Sequence, residues 1–308
     1  MSRRPERIAG VTDVDCSAKT VLVTGSTSGI GRAAALALGR LGADVVVVHG
    51  RSAAPGRSVV EELSGMGVEA TFVAAEFADV DAVRRFADTV RAETEGLDAL
   101  VNNAGGLFRQ GAHTDVGVEY TFHVNHLAPY LLTAELLGHL REGARVVTTA
   151  SEAHRGVSLD LDRVTDIANH SGTWAYGHSK LTNVLFAAEL ARRLDAAGRE
   201  VTSNSLHPGA IPGSGFSRFL PGPLPRVVQA LDALPGVTSV ADGAAEILFL
   251  AASPRTADVS GRYFADRRST TPSSAARDRA AARRLWRESA AMLDVEVPLA
   301  AATTPSRG

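Results

Sequence analysis

The stretch Thr20-Val21-Leu22-Val23-Thr24-Gly25-Ser26-Thr27-Ser28-Gly29-Ile30-Gly31 holds a short β-branched run, then a glycine loop, then the start of a helical pattern that continues to Leu41. A strand that turns through glycine into a helix brings backbone N–H groups and the positive end of a helix dipole to one point. That arrangement suits a pyrophosphate. Gly25, Ser28, Gly29, Ile30 and Gly31 are the candidate contacts. The same glycines also serve a plain tight turn, so the reading depends on the rest of the chain.

Outward from this unit, short apolar runs alternate with helical periodicity. Strands are expected at residues 44–48, 69–74, 99–102, 145–149, 201–206 and 261–264. Helices are expected to end near 61–65 and to cover 80–93, 118–140 with a break near Pro129, 173–196 and 239–252. Such alternation implies βαβ crossovers and a mostly parallel sheet covered on both faces. The expected fold class is α/β, a single doubly wound Rossmann-type domain over residues 18–293. A polar N-terminal tail, 1–17, and a C-terminal tail, 294–308, are expected to flank it.

The 308 residues carry 32 Lys and Arg against 34 Asp and Glu, a net charge of −2, which provides no bulk attraction to nucleic acid or anionic membrane. Hydrophobic residues at 45% and charged residues at 21% allow a sizeable core. Aromatics are only 5%, so aliphatic side chains must fill it. Cys16 stands alone, which excludes an intrachain disulfide, and no Cys or His cluster has zinc-ligand spacing, so no metal is expected. Residues 1–15 contain no apolar run of signal-peptide type, and no stretch approaches about 18 uncharged apolar residues. The expectation is a cytoplasmic protein without an integral membrane segment.

Tyr176-Gly177-His178-Ser179-Lys180 falls inside an expected helix, where positions i and i+4 share a face. An ammonium beside a phenol favours phenolate and fits the tyrosine to move a proton. Alone, such a pair belongs far more often to a solvated helix surface. It is accompanied by Asn102-Asn103-Ala104-Gly105 after the fourth strand, by Asn125, and by Ser151 just after the fifth strand. In an open parallel sheet those positions lie at the carboxyl ends of strands, where ligands bind.

In this order, the set resembles the short-chain dehydrogenase/reductase family over residues 19–292. The likeness is greatest to its retinol dehydrogenase-like branch and bacterial relatives. Three features carry it: the 25-residue interval between Ser151 and Tyr176 (176 − 151 = 25), the Ser-x-Ala-His run ending at His154, and the C-terminal Arg284-Leu285-Trp286-Arg287-Glu288-Ser289. The resemblance implies Tyr176 as general acid/base and Lys180 as the group that lowers its pKa and binds the nicotinamide ribose. It further implies Ser151 as the residue that orients the substrate oxygen and Asn125 as the anchor of a water linking Lys180 to solvent. Gly25, Ser28, Gly29, Ile30 and Gly31 would line the pyrophosphate, Asn103 would contact the adenosine side, and His207-Pro208-Gly209 would border the nicotinamide.

Two departures from the family pattern matter. Where an Asp usually accepts from adenine, this chain has Glu76-Phe77. Arg51 follows the second strand one residue later than usual, which a small bulge would absorb. No acid occurs there to bind the ribose hydroxyls of NAD(H), and arginine suits a 2′-phosphate, so NADP(H) is favoured over NAD(H). A solvated loop arginine is the alternative.

Residues 208–235 are rich in Pro and Gly, interleaved with Ile211, Phe216, Phe219 and Leu220, and read as an apolar lid over the substrate. His154 and His178 are read as structural or surface residues. The expected partner is a lipophilic small-molecule carbonyl or alcohol, and a homo-oligomer is what the family resemblance implies. A biosynthetic ketoreductase and a non-catalytic NADPH-sensing regulator are the rival readings. An intact Ser151, Tyr176 and Lys180 favours an enzyme over the regulator.

Overall fold

The computed structural model describes residues 3–108, 111–168, 171–209 and 238–300. Its strands are β1 (Thr20–Val23), β2 (Val45–Gly50), β3 (Glu69–Ala74), β4 (Leu97–Asn102), β5 (Leu140–Thr149), β6 (Thr202–His207), β7 (Tyr263–Ala265) and β8 (Arg268–Thr270). They form one sheet in the order β3-β2-β1-β4-β5-β6-β7-β8, parallel except for the β7–β8 pair. The central strands are buried along nearly their whole length, as runs such as Val45-Val46-Val47-Val48 require when helices cover both faces. Strand order reverses between β1 and β4, and a crevice opens beyond their carboxyl ends.

One core layer packs α1 (Pro5–Ala9), α2 (Gly29–Arg40), α3 (Ala53–Ser64) and α8 (Val240–Ala251) on the sheet, through Leu38, Val59, Ile247 and Leu248 among others. The other packs α4 (Val80–Glu93), the short α5 (Tyr120–Phe122), α6 (Ala128–Leu136), α7 (Gly172–Ala196) and α9 (Arg279–Met292), through Phe86, Tyr130, Leu181 and Trp286. This is the doubly wound architecture expected from the sequence.

Several local expectations change. The N-terminal segment is no tail: Pro5 opens α1, Gly10 at φ +66 closes it, and Ala9, Val11 and Cys16 are buried. The Glu6 carboxylate takes two hydrogen bonds from Arg40, at 2.8 and 3.1 Å. Likewise Val295, Val297 and Leu299 pack against the core, so the C-terminal segment is docked as far as Leu299.

The break expected at Pro129 lies earlier, in a π-helical turn at His123–Leu127. Pro129 follows shortly after, inside a helix that continues from α5 through this turn into α6, where it removes one donor from the helical ladder. No bulge absorbs Arg51: β2 pairs with β3 in unbroken register from Val45↔Glu69 to Gly50↔Ala74 and simply runs two residues past β1. Strand β8 escaped notice because its hairpin loop uses Asp266 and Arg267, both at positive φ, in place of the Asn-Gly or Asp-Gly that signals such turns. Of the expected lid, only Pro208 and Gly209 fall within the described residues; 210–235 lie outside them.

Candidate active site

The glycine loop follows β1 as expected. Gly25 has φ +65, and a Cβ on it would stand 2.8 Å from Ala104 Cα; one on Gly31 would stand 2.4 Å from the Gly25 carbonyl oxygen. Gly29, at φ +56, faces open space, and no side chain caps the α2 N-terminus at Ser28. The first turn of α2 therefore presents its N–H groups and dipole to the cleft. Asn103 serves this loop from below: its backbone N–H donates to Thr24 Oγ1 and its Nδ2 to the Thr24 carbonyl, both at 2.9 Å.

Arg51 and Glu76 meet at the carboxyl ends of β2 and β3. The Arg51 guanidinium is 57% exposed and stands 3.6 Å from a Glu76 oxygen, whose partner oxygen accepts from the Tyr120 hydroxyl at 3.4 Å. Phe77 lines the cleft but turns its ring inward, stacked on His49 at 4.3 Å. A carboxylate shared among Arg51 and Tyr120 is a different arrangement from the adenine contact that the family resemblance implies for this position.

Ser151, Tyr176 and Lys180 converge at the other end of the cleft. Ser151 follows β5, and Tyr176 and Lys180 lie one helical turn apart on α7. The Ser151 hydroxyl accepts from the Ala153 N–H at 3.2 Å, and it faces the same cleft as Tyr176. Burial pushes the Tyr176 phenol above its ordinary value, and the nearby Ser151 hydroxyl opposes that shift only in part. The direction is opposite to the one expected from a neighbouring cation, because the removal of the phenol from water dominates.

Lys180 is 4% exposed, its Nζ 3.0 Å from the Thr149 carbonyl oxygen it donates to and 5.6 Å from the Tyr176 ring centroid. Burial holds this ammonium down to about 8. Asn125 is fully buried in the π turn. Its Nδ2 donates to the Gly106 carbonyl and to Ser179 Oγ, and its Oδ1 accepts from the Gly106 N–H, each at 2.9 Å. Ser179 in turn donates to the Tyr176 carbonyl at 2.8 Å.

Three supporting residues were not singled out from the sequence for these roles. Gly105, at φ +150, leaves room for Asn125, whose Oδ1 a Cβ would approach to 2.6 Å. His154 braces Ser151 from behind, its Nδ1 2.7 Å from the Ser151 carbonyl oxygen, while its Nε2 accepts from the Ser273 N–H. His178 stacks on Trp174 and accepts from the Asp160 N–H. The contacts of Gly105 with Asn125, His154 with Ser273 and His178 with Asp160 join separate segments of the chain, so spacing carries no signal of them, whereas those of His154 with Ser151 and His178 with Trp174 are local.

A continuous cleft of about 1960 Å³ joins the glycine loop, Arg51 and the Ser151–Tyr176–Lys180 group, with Pro208 and Gly209 on its rim. Beyond Tyr176 its wall is apolar, built from Leu107, Phe108, Val124, Val157 and Trp174. An anion cradle, an exposed guanidinium and a phenol beside an ammonium, in that order along one cleft, fit an extended nicotinamide dinucleotide with room left for a substrate.

The sequence pattern of the short chain dehydrogenase family matches residues 19–218. A protein of Streptomyces sp. (strain C5) named as a daunorubicin C-13 ketoreductase is 38% identical over 275 residues, covering 89% of this chain and 92% of that protein. Retinol dehydrogenase 13 of Homo sapiens is 35% identical over 296 residues, covering 91% and 86%. The crystal structure of a short chain dehydrogenase from Burkholderia cenocepacia J2315 in complex with NADP is similar with a TM-score of 0.65 at 30% identity, over 81% of this chain and 96% of that one.

Proposed function

The chain belongs to the short-chain dehydrogenase/reductase family, with retinol dehydrogenase-like relatives, and from that premise we propose that it interconverts a carbonyl and an alcohol on a lipophilic small molecule, using NADP(H). The observation that carries this reading is the convergence of Ser151, Tyr176 and the buried Lys180 on one cleft with the glycine loop. The bound nicotinamide would supply or take the hydride; the residues named here handle the oxygen and its proton.

Ser151 Oγ holds the substrate oxygen in line with Tyr176. A phenol raised by burial stays protonated at neutral pH and can donate to an oxygen that gains negative charge when a carbonyl is reduced. The Lys180 ammonium, still largely charged at pH 7, then stabilises the phenolate left behind. Asn125 keeps Ser179 and the Gly106 turn in place around this group.

Support for NADP(H) comes from the exposed Arg51 at the end of β2 and from the NADP complex of the Burkholderia relative. The apolar wall that includes Phe108 and Trp174 supports a lipophilic substrate, as do the retinol dehydrogenase relatives. The name of the Streptomyces relative favours a second reading, a ketoreductase of a biosynthetic pathway, and a panel that pairs aliphatic aldehydes with polycyclic ketones separates the two.

The test is that panel with NADPH and NADH, read by absorbance of the reduced nicotinamide. Tyr176→Phe is expected to lower kcat about 10²- to 10⁴-fold with NADPH binding intact; retention of a tenth of wild-type turnover overturns its role. Arg51 is expected to favour NADPH by about 10- to 150-fold, and Arg51→Ala to remove most of that preference. Equal use of both cofactors by the unmodified protein returns Arg51 to a solvated loop residue.

A further inference from the structure

His49 is the penultimate residue of β2, buried and outside the roles described above. Its Nδ1 stands 3.1 Å from the Gly25 nitrogen and accepts that N–H, which places the ring proton on Nε2. Nε2 is 3.2 Å from the Ala75 carbonyl oxygen and donates to it. The ring also stacks on Phe77 and Phe86, which fixes its plane. Burial holds the imidazole near 4, so the neutral form with Nδ1 as acceptor persists throughout the physiological range.

The main chain of the same residue completes the clamp. The His49 N–H donates to Ser26 Oγ at 3.0 Å, and the Ser26 N–H donates to the His49 carbonyl at 2.9 Å. Directly after it, Gly50 lets Thr27 lie against β2, where a Cβ would approach Thr27 Cγ2 to 2.5 Å. The first residues of the glycine loop are thus seated on the end of β2. The Gly25 N–H is committed to His49, which leaves the N–H groups of the α2 first turn as those that face a ligand. Through Ala75 the ring also ties this loop to the strand end that precedes Glu76, so one side chain spans the pyrophosphate and adenosine portions of the cleft.

We propose that His49 is a positioning residue for the dinucleotide: it fixes the Gly25 end of the anion cradle against β2 and β3. The proposal rests on the reading of the cradle as a cofactor site. The experiment compares His49→Leu, His49→Gln and His49→Asn by NADPH fluorescence titration and steady-state kinetics. The Asn amide oxygen falls where Nδ1 is and can accept from Gly25, whereas Gln reaches toward Ala75 and leaves the Gly25 N–H unmet.

Loss of the acceptor that seats the Gly25 N–H should weaken NADPH binding by about tenfold or more in the Leu and Gln variants, with Asn restoring most of the loss. Carbonyl KM and kcat at saturating NADPH should stay near wild type in all three. Wild-type affinity in His49→Leu overturns the proposal, and so does rescue by Gln without rescue by Asn. A uniform loss of kcat and stability in all three variants also overturns it, since that is what a merely structural histidine would give. If the wild-type protein binds no dinucleotide at all, the cofactor reading itself fails, and that outcome is distinct from the other three.

Discussion

Lys180 is an ammonium that the fold would do better without. Its pKa is held at about 8 against an ordinary value of 10.5, because burial disfavours the charge. Between those values the unfolded chain binds more protons than the folded one, so stability rises with pH across roughly pH 8 to 10.5 and the cost is fully present below pH 8. Lys180→Met should therefore stabilise the protein at pH 7 by a few kcal/mol, on the order of 1.4 kcal/mol per unit of pKa. The Thr149 carbonyl would keep a partner, since Asn183 Nδ2 also donates to it at 3.1 Å. Urea unfolding at pH 7 and pH 10 checks this: the advantage of the variant should shrink at the higher pH while its turnover is lost, and an equal advantage at both would remove the buried charge as the cause. The residue types at this site were legible because Tyr176 and Lys180 are a local i, i+4 pair. The upward direction of the Tyr176 shift was not, because burial is set by segments distant in sequence.

At the scale of elements, the π turn His123–Leu127 and the loop after β4 work as one unit. The wider turn carries Asn125 to Gly106 and Ser179, and the positive φ of Gly105 allows the loop to pass over the Asn125 amide. Gly105→Ala should be strained twice, by its backbone conformation and by a Cβ 2.6 Å from Asn125 Oδ1. The expected result is a kcat loss of about tenfold or more, since strain of a few kcal/mol at this point displaces Asn125 from Ser179. NADPH affinity should change less, because the α2 end of the cradle is untouched. A fully active Gly105→Ala would show that Asn125 has no part in arranging the site. Sequence periodicity located this helix and registered an interruption, but assigned it to Pro129. A π turn leaves the apolar pattern of residues 118–140 almost unchanged, so the proline that follows it is the one mark of the interruption in the sequence. Strand β8 was missed for a related reason: its exposed Arg268-Ser269-Thr270 has no buried face to impose alternation.

Over the whole molecule, the sheet separates two layers that serve the cleft differently. Helix α2 and the glycine loop belong to one layer, and α7 with its Tyr176 and Lys180 to the other. The second layer is closed from outside by α9 and the residues after it. Trp286 is buried there, stacked on Phe186 with centroids 5.7 Å apart and edge-on to Tyr130 at 5.0 Å, and its Nε1 donates to the Pro298 carbonyl at 3.0 Å. From the same helix, Ser289 Oγ lies 2.9 Å from Nε2 of His126, the residue after Asn125. Trp286→Ala would open a large void and release the 294–300 strap, at a cost of about 3–5 kcal/mol. The urea midpoint should fall accordingly with little change in slope. NADPH affinity should change little at temperatures where the variant remains folded, because α2, whose first turn faces the ligand, rests on the opposite layer. Any loss of function should appear in kcat, through the His126–Asn125 turn. A tenfold loss of NADPH affinity in a folded Trp286→Ala protein would show that the layers are coupled across the sheet, and that the independence argued from their separate cores is wrong.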